Sequence, residues 1–308
     1  MRRSASAIVV LSFLTLASCG GDETGATPPD STTASTIDTA ATAEPTLATT
    51  STTSPGPTTT RRTTTTLDRR RTTTTGARRP STTIKRPTSG LAGAVIVIDP
   101  GHNGQNHAHA REINRSVDAG GFGKACNTTG TAGGSYSEAE FTWEVAVRLQ
   151  NALRAASARV ILTRSGNDGW GPCVDERGLT AARNDADLML SIHADGSGAG
   201  NRGFHVIHPT RVRGYTDEIV EPSLALAAEV RDALVANGFR PSNYLGSNGL
   251  DARGDLGTLN RAGVPAVMVE CGNMRDPQDL ALLRSGEGQE RMVAAYVTAI
   301  GRFLRERS

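Results

Sequence analysis

The chain of 308 residues is short of the features that mark a membrane-spanning, nucleic-acid-binding or fully folded protein. Its one apolar run that invites a membrane reading, Ala7 to Ala17, is too short to cross a bilayer as a mature helix, which takes roughly 20 residues. Aromatic residues make up 4% of the chain, and no basic stripe is interleaved with them, so a nucleic-acid surface is excluded. Large apolar side chains are almost missing from Gly20 to about Gly90, where Thr, Ser, Pro and Ala prevail with scattered Arg. Such a stretch cannot bury enough surface to offset its ordering entropy, which excludes a packed core there. Cysteine is limited to four positions, Cys19, Cys126, Cys173 and Cys271.

What is present at the amino terminus is an address. Arg2 and Arg3 precede the apolar run, the order of a secretory signal. The run ends in Leu16-Ala17-Ser18-Cys19-Gly20, which resembles the bacterial lipoprotein box, whose cysteine is lipidated. A plain signal cut near Ala17 or Ser18 is the alternative, and either exports the chain. The expected organisation is a signal over residues 1–19, a disordered Thr/Pro/Arg-rich tether over 20–91, and one folded domain over 92–308.

Charge divides along the same lines. Of the 33 basic residues, eleven precede the domain, as do six of the 31 acidic ones. The remaining 22 basic and 25 acidic residues leave the domain near −3, so the basic character belongs to the signal and tether. This part is long enough for a single α/β core.

Three stretches organise it. Val95-Ile-Val-Ile-Asp-Pro-Gly-His102, Leu188-Met-Leu-Ser-Ile-His193 and Ala266-Val-Met-Val-Glu270 each read as a strand buried on both faces that ends in a metal ligand or an acid/base group. Pro100 and Gly101 should stop the first strand and leave His102 at a carboxyl edge, where open α/β sheets collect ligands. A long polar loop runs to Ser137, followed by an amphipathic helix with Phe141, Val145, Leu149 and Leu153 on one face. Ser137 is its N-cap, with Glu140 completing a capping box. Further strands are expected at Ala158–Thr163 and Gly203–His208. Helices are expected at Asp175–Asn184, at Ser223–Asn237 (stopped by Gly238), after Asp276-Pro277, and at Gln289–Arg305. Alternating strands and helices predict a twisted, mostly parallel sheet with helices on both faces.

Cys126 and Cys173 lie in irregular segments expected to be exposed, and export makes them a natural disulfide. Cys271, after an apolar strand, is expected as a buried free thiol. With Cys19 lipidated no cysteine is left unassigned.

Two histidines and a carboxylate form a frequent zinc set that leaves a position for water. His102 and His193 are the histidines placed at buried strand ends. His107 and His109 are expected to face solvent or substrate, and His205 and His208 to point to opposite faces of their strand. The third ligand is open among Glu138, Glu140 and Glu144, with Glu138 nearest the loop side of the helix. Glu270, at the end of an apolar strand, is the candidate general base, its carboxyl pKa raised by desolvation; a buried pair with Arg253 is the alternative.

Val-Ile-Asp-Pro-Gly-His102, the Ser137-Glu138 helix start, Ser191-Ile-His193-Ala-Asp and Val-Met-Val-Glu270-Cys-Gly-Asn resemble, in order and spacing, the type 3 family of zinc-dependent N-acetylmuramoyl-L-alanine amidases. The resemblance implies one Zn²⁺ on His102, Glu138 and His193, with Glu270 as the catalytic glutamate. It implies hydrolysis of the amide between the lactyl group of N-acetylmuramic acid and L-alanine of the stem peptide. It further implies Arg253 and Asn103 near bound substrate. Two positions depart from the family pattern: Asn103 where Gly is usual, and Ala139 where Lys is common. Expected partners are peptidoglycan or muropeptides and, through a lipid at Cys19, the outer face of the plasma membrane, with the protein a monomer. The rival functions are a zinc peptidase cutting within the stem peptide and a catalytically silent wall-binding lipoprotein.

Overall fold

The computed structural model describes residues 90–307. The signal, the lipidation site at Cys19 and the tether up to residue 89 therefore lie outside the described residues. Leu91, assigned above to the end of the tether, is instead packed into the core at 4% exposure, next to Ala94.

Six strands form the central sheet: β1 (Val95–Pro100), β2 (Arg159–Leu162), β3 (Leu188–Asp195), β4 (His205–Pro209), β5 (Leu250–Arg253) and β6 (Ala266–Asn273). Their order across the sheet is β2-β1-β3-β6-β4-β5. All neighbours are parallel except β4, which runs antiparallel to β6. The three chemistry-bearing strands β1, β3 and β6 are thus adjacent at the centre, which brings their carboxyl ends to one edge. β5 was not anticipated. Its sequence, Leu-Asp-Ala-Arg, carries little apolar signal because it is a four-residue edge strand, half-exposed along its length.

Pleating sorts the buried side chains. Ile96, Ile98, Leu188, Leu190, Ile192, Val267 and Val269 enter the larger core. It is closed by α1 (Glu138–Ala155), α3 (Val220–Ala236), α4 (Pro277–Arg284) and α5 (Gly286–Glu306). Val97, Met189, Ala266 and Met268 face the other way into a smaller core under α2 (Val174–Arg183) and the helical turn Gly257–Asn260. The sheet is covered on both faces, as the alternation implied.

α1 carries the stripe read from the sequence. Phe141, Val145, Leu149 and Leu153 are fully buried, and Ser137 Oγ accepts a hydrogen bond from the Glu140 amide at 3.2 Å. Asp276 caps α4 by accepting from the amides of Gln278 and Asp279, with Pro277 in the first turn. α5 begins three residues earlier than expected, because Ser285 caps it by accepting from Gly288 N. The loop between β1 and α1 is not structureless. It holds a 3-10 turn (Asn106–Ala108), a four-residue helix (Ala110–Ile113) and two short hairpins.

Cys126 and Cys173 are disulfide-bonded. Contrary to the expectation of exposed positions, they are 0% and 3% exposed and pack with Val117 and Val174 in a small apolar cluster. The loop supplies its own core, which composition did not reveal. Cys271 is free and buried, 3.1 Å from the Tyr296 hydroxyl.

Candidate active site

The turn after β1 delivers His102, the first turn of α1 delivers Glu138, and the end of β3 delivers His193. His102 Nε2 lies 3.1 Å from Glu138 Oε1, and His193 Nδ1 lies 2.9 Å from the same oxygen. The three ligand atoms all fall within 4.8 Å of one another, and the two imidazoles meet edge to face. The choice among the helix glutamates is made by their other partners. Glu144 is engaged by the Tyr136 hydroxyl at 2.5 Å and by Gln289 at 2.8 Å, and Glu140 is exposed at the cap. Glu138 alone reaches the histidines.

His102 and Glu138 are held from behind. His102 Nδ1 donates to the Thr128 carbonyl at 3.0 Å, which fixes the ring so that Nε2 is the nitrogen turned toward Glu138. Glu138 Oε2 accepts from Thr131 N at 2.9 Å, and Oε1 accepts from Ala194 N at 3.1 Å. Gly101 matters by its lack of a side chain, since a Cβ there would stand 2.3 Å from His193 Cε1.

The electrostatics favour a cation at this spot. Burial alone would raise the Glu138 carboxyl pKa, but the two neighbouring imidazoles and their hydrogen bonds outweigh it and hold the group well below the usual carboxylate range. Burial likewise works against protonating His102, and the Glu138 carboxylate overcomes it, moving that pKa upward. Two imidazole nitrogens and one ionised oxygen, converging within 4.8 Å, are a donor set that fits zinc.

Glu270, on β6, is paired in register with His193 on one side and His205 on the other. Burial, and after it the carboxylates of Glu138 and Asp195, push its pKa well above the ordinary value, with Arg253 opposing. Its Oε2 is buried with no hydrogen-bond partner among the described residues. The pair with Arg253 weighed above is not made: Arg253 donates instead to Asp255, at 2.9 and 2.8 Å. His102, Glu138, His193 and Glu270 all line one cleft of about 350 Å³, together with Asp195, Met268 and Thr128 to Thr131.

Asn103 faces elsewhere. Its amide donates to Gly171 O at 3.1 Å and accepts from Gly104 N at 2.9 Å, and it borders a separate depression beside Arg164 and Trp170. His107 is exposed, and His109 stacks on Trp170. His205 is buried and His208 half-buried, and neither belongs to the cluster of three ligand atoms. Sequence reasoning missed Asp99 and Arg177, a buried pair at 2.6 Å beneath the His102 turn. It also missed Asp195, which accepts from the Tyr244 hydroxyl at 2.7 Å on the cleft wall. For Asp195 the signal existed in the His-Ala-Asp run that ends β3.

The N-acetylmuramoyl-L-alanine amidase family matches residues 96–302, more than half of the chain. The chain belongs to that family. It is 42% identical over 216 residues to the N-acetylmuramoyl-L-alanine amidase Rv3717 of Mycobacterium tuberculosis, covering 70% of this chain and 88% of the relative. Among solved structures it is similar to the N-acetylmuramyl-L-alanine amidase Ami1 of Mycobacterium smegmatis, with a TM-score of 0.66, 40% identity, and 70% and 99% of the two chains covered. For Ami1 of Mycobacterium abscessus the values are 0.65, 40%, 69% and 99%. The family is one of peptidoglycan hydrolases, enzymes of the cell envelope. Among the described residues no helix is long and apolar enough to cross a membrane.

Proposed function

We propose that this amidase is zinc-dependent, with His102, Glu138 and His193 as metal ligands and Glu270 as the group that moves protons. It cuts the amide joining the lactyl group of N-acetylmuramic acid to L-alanine in peptidoglycan or muropeptides. The observation that carries this reading is the convergence of the three ligand atoms in the same cleft as a Glu270 carboxylate whose Oε2 is buried and unpartnered among the described residues.

Zinc bound by these residues supplies a lowered water pKa and a polarised scissile carbonyl. Glu270 Oε2, with no competing donor, accepts a proton from the attacking water as the new C–O bond forms. A raised pKa lets the same carboxyl then give that proton to the alanine nitrogen as the C–N bond breaks. Thr128 O keeps the His102 ring in the orientation that leaves Nε2 free for the metal. Arg253, on the edge strand, is held by Asp255 and would need to exchange that partner to take a stem-peptide carboxylate.

Upstream, residues 1–19 act as a lipoprotein signal, Cys19 carries the lipid, and the stretch from residue 20 up to the packed Leu91 tethers a monomeric domain to the outer face of the plasma membrane. Cys19→Ala should move the protein from the membrane fraction to the medium, and retention in the membrane would remove the anchor.

Mass spectrometry of a defined muramoyl peptide, incubated with the zinc-loaded chain and with a chelated control, tests the activity. The expected products, only with metal, are an intact stem peptide with a free alanine amine and a sugar bearing the lactyl carboxylate. Cleavage inside the stem would move the assignment to a peptidase. Binding without turnover would make the chain a silent wall binder.

A further inference from the structure

His102 has a φ of +56°, a left-handed conformation that a residue with a side chain keeps only where its surroundings over-determine it. Two buried guanidiniums hold that turn: Arg164 donates to Pro100 O at 3.0 Å and to Gly101 O at 3.4 Å, and Arg177 reaches the carbonyl of His102 itself. Arg177, on α2, is 2% exposed, and each of its five N–H donors has a partner. Nη1 donates to Asp99 Oδ1 at 2.6 Å and to Pro100 O at 2.7 Å. Nη2 donates to His102 O at 2.5 Å and to Gly171 O at 2.9 Å, and Nε donates to Pro172 O at 2.9 Å. Asp99 is itself fixed from β3 by Ser191 Oγ at 2.6 Å and from the end of β2 by Thr163 Oγ1 at 2.5 Å. Arg177 therefore holds Asp99, Pro100 and His102 of the turn and ties them to the loop entering α2, while Gly101 O is taken by Thr142 Oγ1 at 2.8 Å.

The ring of His102 is oriented at its far end by Thr128 O, but that hydrogen bond sets only the ring's rotation. Where the Cα stands, and so whether Nε2 reaches Glu138 at 3.1 Å, depends on the main chain that Arg177 holds. Lysine has three donors on a flexible stem and cannot reproduce a five-acceptor fork.

We propose that Arg177 is a positioning residue for the metal site: by holding His102 in its left-handed turn it sets the affinity for zinc, beyond any part it has in stability. The inference rests on the zinc reading above, and its test separates the two. Zinc affinity of the full chain is measured by chelator competition. The absorption spectrum of the Co²⁺-substituted protein reports ligand geometry. Arg177→Lys is compared with wild type and with Phe303→Leu, a core lesion in α5 that serves as the stability control. Arg177→Lys should bind zinc about 10- to 100-fold more weakly, the range for groups that orient metal ligands. Its Co²⁺ bands should shift, while Phe303→Leu keeps both at wild-type values. Asp99→Asn loosens the same fork more gently and serves if Arg177→Lys does not fold. A weaker zinc affinity with shifted Co²⁺ bands in that variant supports the proposal. Wild-type affinity and spectrum in whichever variant folds overturns the proposal and leaves the zinc site standing. A wild-type chain that takes up no zinc removes both.

Discussion

The carbonyl of Thr128 accepts a hydrogen bond from Nδ1 of His102 at 3.0 Å, and Asn106 Nδ2 donates to the same oxygen at 2.7 Å. A carbonyl can only accept, so this contact places a proton on His102 Nδ1. Thr128 is two residues beyond Cys126, and Asn127 between them donates to Pro172 O at 2.7 Å. The disulfide thus anchors the segment that orients a proposed metal ligand, although neither cysteine lines the cleft.

Breaking that link has a calculable effect. The cysteines are 47 residues apart, and closing a loop of that length restricts the unfolded chain by roughly 4 kcal/mol in the loop-entropy picture. Cys126→Ser with Cys173→Ser should lower the unfolding free energy by about 2 to 4 kcal/mol in urea titrations. Zinc affinity should fall with it, because Thr128 loses its anchor. An unchanged midpoint would mean the loop's small apolar cluster is sufficient without the bond.

Gly101→Ala tests steric closeness at the ligand. The added methyl meets the His193 ring well inside contact distance on its Cε1, Nε2 and Nδ1 edge. Overpacking of this kind costs about 1 to 3 kcal/mol, and relief requires the imidazole to move. The expected outcome is a folded protein by circular dichroism with substoichiometric zinc by atomic absorption. Full zinc content would show that the turn yields instead of the histidine.

Glu270→Gln keeps shape and removes the proton acceptor. Turnover should drop about 10²- to 10⁴-fold while zinc content and the melting temperature stay near wild type. Normal turnover in this variant would take Glu270 out of the mechanism.

Asp99 links the site to acid stability. Burial alone would raise its pKa, but the Arg177 guanidinium, His193 and the hydroxyls of Ser191 and Thr163 outweigh burial and bring it to about 2. A folded-state pKa below the ordinary 3.8 means stability that is fully present above about pH 4 and is lost as pH falls toward 2. At about 1.4 kcal/mol per unit, the share is roughly 2 kcal/mol. Denaturation free energies from pH 5 to 2 should fall more steeply for wild type than for Asp99→Asn. Parallel slopes would place the acid sensitivity in other carboxylates.

Much of this could be read in one dimension, because the strongest determinants are local. The continuous apolar runs at Ile96, Leu190 and Val267 dictate buried central strands. The four-residue spacing from Phe141 to Leu153 dictates α1, and Ser137 and Asp276 announce helix starts with their own side chains. Even His102, His193 and Glu270 were legible, since a strand that ends in such a residue at the carboxyl edge of a parallel sheet can present it nowhere but the common cleft.

What the chain order could not specify were relationships between segments far apart in sequence. Apart from the family resemblance, Glu138 was separable from Glu140 and Glu144 only once Tyr136 and Gln289 were seen to engage Glu144. Asn103 is turned to Gly171, 68 residues away. Arg177 shows no periodicity or motif, because four of its five partners are backbone carbonyls, which every residue possesses and no side-chain pattern reveals. The sequence by itself determined that there would be a central sheet edge carrying histidines and a glutamate. The tertiary structure decided which helix glutamate completes the set and how the His102 turn is held, since both depend on hydrogen bonds that form only when distant backbone segments are packed side by side.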